Sequence, residues 1–290
     1  MKEPVMSVVV PMYNAREFIR KSMEHLVHQT YKNIEIIIVD DGSTDGCDKI
    51  IKEYAAHDKR IKLIKQKNAG VSAASNAGIL AATGDYVSIH DHDDFVNLDY
   101  FEKMANAAIL TGADILCGEV NEPGWSFPVF KSIEIATTLA DKIQMTHANW
   151  FNCAWRYAYK TTFLHKTKLL FETSVCGAQD VIFSKSAIVL AKTVATVPGA
   201  VYNVIDRPTS LGKNKKKKAA HVSDETGCAW RRYFALLDKY GATELMSAHD
   251  KPAQINTFKI FNRVIFKTEI FPRKKRFYIF GLNIGTKHMD

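Results

Sequence analysis

The chain has 290 residues, of which 47% are hydrophobic and 24% charged, values that fit a soluble globular protein. That length allows one large domain, or a domain of about 200 residues with a smaller appendage. No run approaches ~18 consecutive apolar residues, and the run at 5–10 is too short for a signal peptide. We therefore expect no membrane-spanning helix and a cytoplasmic location. The five cysteines are scattered and lack C-x-x-C spacing, which argues against a zinc site and a disulfide framework.

The net charge of +8 is concentrated in two basic clusters of the last third, at residues 213–218 and 273–276. Such clusters suit an acidic glycan or an anionic membrane surface, here the inner face of the cytoplasmic membrane. A solvated loop is the plain alternative. No recognised nucleic-acid motif accompanies the positive charge, so nucleic acid is not an expected partner.

Apolar strands and amphipathic helices alternate through the first hundred residues. The pattern predicts strands at 5–10, 34–39, 61–64 and 86–90, separated by helices at 17–29, around 50–54 and at 71–82. Near-continuous Ile and Val runs separated by helices indicate a mostly parallel, Rossmann-like α/β sheet with helices on both faces. Ligands bind at the carboxyl ends of the strands in such sheets, so the residues that directly follow each strand are of most interest.

Beyond residue 98 the pattern is looser. It predicts a helix at 100–110, a strand at 114–120, an aromatic-rich stretch at 146–165, a helix at 181–191, and a strand, turn and strand at 193–204. A basic linker from 213 leads to two amphipathic helices, around 228–240 and 253–266. We therefore expect an α/β domain over 1–210, with halves at 1–100 and 101–210, and a basic helical extension over 211–290.

Polar segments follow each of the four predicted strands. They read Pro-Met-Tyr-Asn-Ala at 11–15, Asp-Asp-Gly-Ser-Thr-Asp at 40–45, Asn-Ala-Gly-Val-Ser at 68–72 with Ser-Asn-Ala-Gly at 75–78, and Asp-His-Asp-Asp at 91–94. Each segment alone is a common turn or helix cap. Together they bring carboxylates and amides to one edge of the sheet, which indicates a binding site there.

Asp91 and Asp93 give the sharpest of these signals. Residues two apart in extended backbone point the same way, so both carboxylates can address one cation. Carboxylate oxygens suit the hard ions Mg²⁺ and Mn²⁺, which bind through one or two protein carboxylates and the phosphates of a substrate. His92 lies between them and is expected to point away from the cation.

The segments V-x-V-P-x-Y-N, D-D-G-S-T-D, N-x-G-x-S, N-A-G and D-x-D-D, in this order and spacing, resemble glycosyltransferase family 2. The similarity is strong over 5–100 and weak over about 100–210. It implies a GT-A fold and an inverting transferase, which moves a sugar from a nucleoside-diphosphate donor, with UDP expected, to a hydroxyl of a glycan or lipid-linked acceptor. By analogy, the enzyme would serve bacterial-type surface polysaccharide or lipooligosaccharide assembly.

The resemblance also implies roles for particular residues on the donor side. Pro11, Tyr13 and Asp41 would line the nucleoside pocket, while Asp91 and Asp93 would approach the ribose, the diphosphate and the metal. An arginine after the last strand would be well suited to the phosphates. The full expected set of nucleotide-sugar contacts is Pro11, Tyr13, Asn14, Asp41, Asn68, Ser72, Asp91, His92 and Arg207.

On the acceptor side, the family supplies a general base from a Glu-Asp pair that opens a helix, and here that position reads Gln179-Asp180. Asp180 would take the proton of the acceptor hydroxyl; the alternative is a plain helix cap. Trp155 and Tyr159 resemble the family's aromatic acceptor segment, with core packing as the alternative.

The chain departs from the family pattern at a few positions. Ser75 and Asn203 stand where arginine is common, and Gln179 stands where glutamate is usual. These exchanges keep open a non-catalytic nucleotide-sugar-binding protein, and a nucleotidyltransferase would need the same paired carboxylates. An oxidoreductase is disfavoured because G-x-G-x-x-G is missing after the first strand, and no G-x-x-x-x-G-K-[ST] loop supports an NTPase. The sequence carries no signal for an oligomeric state.

Overall fold

A computed structural model describes most of the chain. The described ranges are 2–124, 127, 129–148, 153–174, 179–205, 224–242, 254–260, 263–271, 274–279 and 282–288. The basic cluster at 213–218 lies outside these residues, as do Arg207, Ser210 and Arg273.

Strands and helices alternate in the first half as predicted. The elements are β1 (Met6–Met12), α1 (Ile19–Val27), β2 (Ile34–Asp40), α2 (Cys47–His57), β3 (Ile61–Lys65), α3 (Val71–Ala81) and β4 (Tyr86–Ile89). Every residue of β1 and β2 is buried, which explains their continuous Ile and Val runs. The predicted order of elements in the first half is therefore confirmed.

The second half continues with shorter elements. They are β5 (Phe95–Val96), α4 (Tyr100–Thr111), β6 (Ile115–Asn121), β7 (Ile135–Ala136), α5 (Leu139–Thr146), β8 (Tyr157–Lys160), α6 (Thr161–Thr167), α7 (Gln179–Leu190) and β9 (Val194–Asn203). The predicted strand, turn and strand at 193–204 form one irregular strand. Its register against β6 shifts beside Pro198 and Gly199, because proline lacks an N–H and Gly199 adopts a φ of 69°.

These strands form one sheet in the order β3-β2-β1-β4-β8-β6-β9-β5, with β7 paired to β9. The pairs among β1, β2, β3 and β4 are all parallel. β8 runs antiparallel to both β4 and β6, and β6 and β9 are parallel. Apolar cores lie on both faces of the sheet. The carboxyl ends of β1, β2 and β4 therefore meet at one edge.

The region after residue 210 is only partly as predicted. Helix α8 (Asp224–Lys239) confirms the first expected helix, and its Tyr233 and Leu237 pack against Ile182 and Val189 of α7. The expected helix at 253–266 is wrong. That region starts an antiparallel sheet of β10 (Gln254–Ile260), β11 (Arg263–Phe271), β12 (Lys274–Ile279) and β13 (Leu282–His288).

The physical reason lies in the composition of this segment. Its apolar residues Ile255, Phe258, Ile260, Val264 and Phe266 are all β-branched or aromatic, and such residues favour strands. Within the described residues, no helix combines the length and apolar character that crossing a bilayer requires.

Candidate active site

The residues that follow β2 and β4 are hydrogen-bonded to β1 at the carboxyl edge of the sheet. The Asp41 amide donates to the Met12 carbonyl at 2.9 Å, and the His90 amide donates to the Val9 carbonyl at 2.8 Å. His92 Nδ1 lies 3.3 Å from the Pro11 carbonyl, so a proton on Nδ1 makes this a hydrogen bond from the β4 loop to β1. The predicted donor-side segments are thus brought together.

Asn14 joins the first two loops. It adopts a φ of 49°, a left-handed conformation that asparagine tolerates better than most residues. Its side-chain oxygen accepts a hydrogen bond from the Thr44 backbone amide at 2.9 Å, and its backbone amide donates one to Ser43 Oγ at 3.0 Å. Tyr13, the preceding residue, remains 48% exposed. Asn14 therefore fixes the loop from which the Tyr13 ring projects.

Asp41 is buried and organises the loop after β3. Its Oδ1 accepts from Gln66 Nε2 at 2.8 Å and from the Ala69 amide at 2.9 Å, and its Oδ2 accepts from the Gly70 amide at 2.8 Å. The two loops approach closely, since a Cβ on Gly42 would lie 2.9 Å from Asn68 N. Asn68 is exposed at this loop, whereas Ser72 is buried in the first turn of α3.

The Asn-Ala-Gly motif at 76–78 has a structural explanation. The Asn76 side chain donates to the Phe171 carbonyl at 2.9 Å and accepts from the Phe171 amide at 2.7 Å. A Cβ on Gly78 would lie 2.1 Å from Val9 Cγ1, so only glycine lets α3 approach β1 this closely. This motif packs the fold, and it does not supply a polar group to the donor edge.

The carboxylate turn, residues 91–94, carries the candidate metal site. Oxygens of Asp91, Asp93 and Asp94 all lie within 4.8 Å of one another. The backbone is a turn, in which the Asp94 amide donates to the Asp91 carbonyl at 3.3 Å. The predicted grouping of Asp91 and Asp93 is therefore found, but its stated reason, an extended backbone, is wrong. Asp94 belongs to the same cluster, although no role was predicted for it from the sequence.

Asp94 is the buried member of the turn. Burial raises its pKa to about 6, against hydrogen bonds from the Ile205 amide (2.8 Å) and the Tyr202 hydroxyl (3.3 Å) that lower it. A divalent cation beside these oxygens would favour the charged carboxylates. A set of three hard oxygen donors fits Mg²⁺ or Mn²⁺, because both ions prefer carboxylate ligands.

Trp155 and Tyr159, the two predicted acceptor residues, lie in different environments. Trp155 is half-buried and stacks on Tyr202, with ring centroids 4.3 Å apart and an interplanar angle of 26°. Tyr159 is fully buried, and its hydroxyl donates to the Ala154 carbonyl at 3.2 Å. The prediction that Tyr159 contacts the acceptor is corrected, since its hydroxyl and ring belong to the core.

Asp180 lies in the first turn of α7 and is half-buried. Burial raises its pKa to about 6. Burial also raises the pKa of the Cys153 thiol and the pKa of the Tyr159 hydroxyl. The charge of Asp180 raises both pKa values further, so Asp180 lies near the segment that carries Trp155. Glu172, the other acidic side chain near the start of α7, pairs with Arg232 of α8 at 2.5 Å.

A family model described as Glycosyl transferase family 2 matches residues 7–187, which is more than half of the chain. The chain is a family 2 glycosyltransferase. It is 33% identical over 248 residues to the uncharacterised glycosyltransferase EpsJ of Bacillus subtilis, a match that covers 82% of this chain and 71% of EpsJ. It is 32% identical over 230 residues to the glycosyltransferase GlyA of Streptococcus pneumoniae, covering 74% of this chain but only 32% of GlyA.

Solved structures of similar fold include two glycosyltransferases with bound nucleotide sugars. One is TarS of Staphylococcus aureus with UDP-GlcNAc, at a TM-score of 0.69 and 22% identity, covering 80% of this chain and 66% of that one. The other is the mannosyltransferase PcManGT of Pyrobaculum calidifontis with GDP-Man and Mn²⁺, at a TM-score of 0.57 and 19% identity, covering 83% and 70%. The family 2 enzyme therefore has the GT-A fold.

Proposed function

We propose that this glycosyltransferase moves a sugar from a UDP-sugar donor to a hydroxyl of a glycan or lipid-linked acceptor, with inversion and with a divalent cation. The observation that carries the proposal is the cluster of Asp91, Asp93 and Asp94 at the end of β4, beside the loops after β1 and β2. The similar structures of TarS and PcManGT hold UDP-GlcNAc, and GDP-Man with Mn²⁺, which supports a nucleotide-sugar donor and a metal.

The metal would be held by Asp91 and Asp93, with Asp94 behind them. When bound, Mn²⁺ or Mg²⁺ neutralises charge on the diphosphate leaving group as the bond to the sugar breaks. Both carboxylates lie in a turn that is hydrogen-bonded to β9 through the Asp91 amide and to the residues after β9 through the Asp94 side chain.

The nucleoside would lie against Pro11, Tyr13 and Asp41. A carboxylate accepts about four hydrogen bonds, and Asp41 accepts three from described residues, two on Oδ1 and one on Oδ2. One acceptor position on Oδ2 is therefore left for an N–H of the base. Further donor contacts in this proposal are Asn14, Asn68, Ser72, His92 and Arg207.

Asp180 would act on the acceptor. A carboxyl group with a pKa of about 6 is mostly ionised at neutral pH, and its basicity is close to the working pH. Ionised Asp180 can take the proton of the attacking hydroxyl as the bond to the sugar forms and UDP leaves. Trp155, part of whose surface is exposed, offers an aromatic face for an acceptor sugar.

A screen of UDP-sugars with the purified protein tests the proposal. We expect one or more donors to release UDP in the presence of Mn²⁺, and we expect EDTA to stop the release. Full activity in EDTA would contradict the metal role. UDP binding without turnover of any donor would favour the non-catalytic alternative, and incorporation of the nucleotide into a product would favour a nucleotidyltransferase.

The basic clusters at 213–218 and 273–276 would attract the enzyme to anionic lipid, where a lipid-linked acceptor resides. Each basic residue near such a surface contributes about 1 kcal/mol, and salt screens the attraction within a Debye length of about 10 Å at 0.1 M. Sedimentation with anionic vesicles should therefore fall steeply as salt rises. Absence of vesicle binding at low salt would leave both clusters as solvated surface charge.

A further inference from the structure

Tyr202 is fully buried near the end of β9 and reaches the carboxylate turn, although it lies 108 positions beyond Asp94 in the chain. We infer that Tyr202 is a positioning residue, which holds the turn in the shape that binds the cation. The inference rests on the proposed metal role of Asp91 and Asp93. It assigns a function to a side chain that the sequence motifs do not single out.

The hydroxyl of Tyr202 connects the two ends of the turn. It accepts a hydrogen bond from the Asp91 amide at 3.0 Å and donates one to Asp94 Oδ2 at 3.3 Å. A phenol has one proton to donate and lone pairs that accept, so these bonds use both capacities. The Ile205 amide adds a bond of 2.8 Å to Asp94 Oδ1. Loss of the hydroxyl would remove one hydrogen bond from the Asp91 amide and one from Asp94 Oδ2 together.

The ring of Tyr202 is fixed as firmly as its hydroxyl. Trp155 stacks on it with centroids 4.3 Å apart, and His90 meets it edge-on at 5.2 Å. Its backbone pairs with Val96 of β5, the strand that directly follows the turn. The hydroxyl therefore cannot leave the turn without disturbing the aromatic stack or the pairing of β5 with β9.

A cation site made of carboxylates needs support of this kind. Oxygens that lie within 4.8 Å of one another repel while they are ionised and no cation is bound, and an unsupported turn would open to separate them. Groups that orient metal ligands from behind typically change metal affinity 10–100-fold when they are removed. Tyr202 and the Ile205 amide stand in this position relative to the turn.

Tyr202→Phe tests the inference because it removes the hydroxyl and keeps the ring. Tyr86→Phe is the matched control: Tyr86 is buried on β4, and its hydroxyl donates to the Ala113 carbonyl at 2.7 Å, at the other end of the strand from the turn. The readout is the Mn²⁺ concentration at which UDP binding is half-maximal, measured by calorimetry, with melting temperatures recorded alongside. We expect Tyr202→Phe to raise this concentration about 10-fold or more, and Tyr86→Phe to leave it within about twofold.

Three outcomes would overturn the inference in distinguishable ways. An unchanged Mn²⁺ requirement in Tyr202→Phe, while Asp93→Ala loses Mn²⁺-dependent UDP binding, refutes the role of Tyr202 and leaves the metal site standing. Wild-type protein that binds UDP equally well in EDTA refutes the metal site and the role of Tyr202 together. An equal rise in Tyr202→Phe and Tyr86→Phe would mean that any lost core hydroxyl loosens the fold.

Trp155→Leu serves as a second variant. It keeps the Tyr202 hydroxyl but removes the ring that packs on it, so we expect a smaller rise in the Mn²⁺ requirement than Tyr202→Phe gives. If Tyr202→Phe does not fold, a rise of more than about twofold in Trp155→Leu supports the inference, and no rise overturns it.

Discussion

The proposed donor edge and the proposed acceptor side of this enzyme are built differently. At the donor edge, Asn14, Asp41 and His92 each lie within three residues of the end of a parallel strand and contact a neighbouring segment at 2.8–3.3 Å. On the proposed acceptor side, Trp155 comes from the loop before β8 and Asp180 from the start of α7, and the two are 25 positions apart in the chain. We propose a division of labour, in which the donor edge binds the nucleotide and the acceptor side performs the chemistry.

Asp180→Asn should separate these two tasks most strongly. The amide keeps the size of the side chain but cannot accept the acceptor's proton, and general-base catalysis is typically worth about 10²–10⁴-fold in rate. UDP affinity in Mn²⁺ should stay near wild type while turnover, measured as UDP release from the active donor, falls by that factor. Glu172→Gln is the matched control, since Glu172 is already paired with Arg232. Turnover of Asp180→Asn within a few-fold of wild type would exclude Asp180 as the base.

The pH dependence gives an independent check on Asp180. Burial raises the pKa of its carboxyl to about 6, so the group is protonated and inactive as a base below that value and ionised above it. Wild-type kcat should therefore rise as pH increases through about 6 and then level off. A profile that is flat between pH 5 and 8 would contradict this assignment.

Asp41→Ala should weaken the donor edge without touching the acceptor side. Removing a hydrogen bond to a charged group costs about 1–3 kcal/mol, and we expect UDP affinity to fall by that amount. The truncation also frees the amides of Ala69 and Gly70. Asp48→Ala, at a partly buried position on α2 that pairs with Lys52 and Lys65, is the control. Unchanged UDP affinity in calorimetry of Asp41→Ala would remove Asp41 from the nucleoside pocket.

Glu35 offers the smallest functional effect, because it lies at the amino end of β2, opposite the donor edge. Burial alone would raise its pKa, but bonds from Lys62, Ser7 and Thr83 outweigh burial and lower the pKa to about 2. A lowered pKa in the folded state stabilises the protein above the unfolded value near 4.5. That stability is lost as pH falls toward 2.

Urea unfolding of Glu35→Gln measures this contribution. We expect the free energy of unfolding to fall by about 2–3 kcal/mol at pH 7, and the difference from wild type to shrink steadily below pH 4.5. Turnover at pH 7 should remain close to wild type. A large loss of turnover in a well-folded Glu35→Gln protein would show that the two ends of the sheet are not independent.

The position of the donor edge could be predicted because apolar strands alternate with helices along the sequence. Parallel strands with continuous Ile and Val runs place the residues after β1, β2 and β4 at one edge, whatever the rest of the chain does. The shape of the individual loops could not be predicted in the same way. The turn at 91–94 depends on the Asp94 carboxylate meeting Tyr202 and the Ile205 amide, contacts that no local pattern encodes.

On the acceptor side, the burial of individual side chains could not be predicted from the sequence. Trp155 and Tyr159 are equally aromatic and four residues apart, yet one remains partly exposed while the other is buried with its hydroxyl on Ala154. That choice is made by the tertiary packing of β8 between β4 and β6. The strands after residue 254 were missed for a simpler reason, since the apolar residues at 253–266 were assigned a helical period.

Calorimetry of UDP binding to wild type, Asp93→Ala and Asp99→Ala, each with Mn²⁺ and with EDTA, tests the central claim most directly. Asp99 is a matched acidic residue, five positions from the turn, that pairs with Lys103 on α4. The metal assignment predicts that Mn²⁺ strengthens UDP binding to wild type and to Asp99→Ala, and that this effect disappears in Asp93→Ala. Equal UDP affinity of wild type in Mn²⁺ and in EDTA, or an undiminished Mn²⁺ effect in Asp93→Ala, would contradict it.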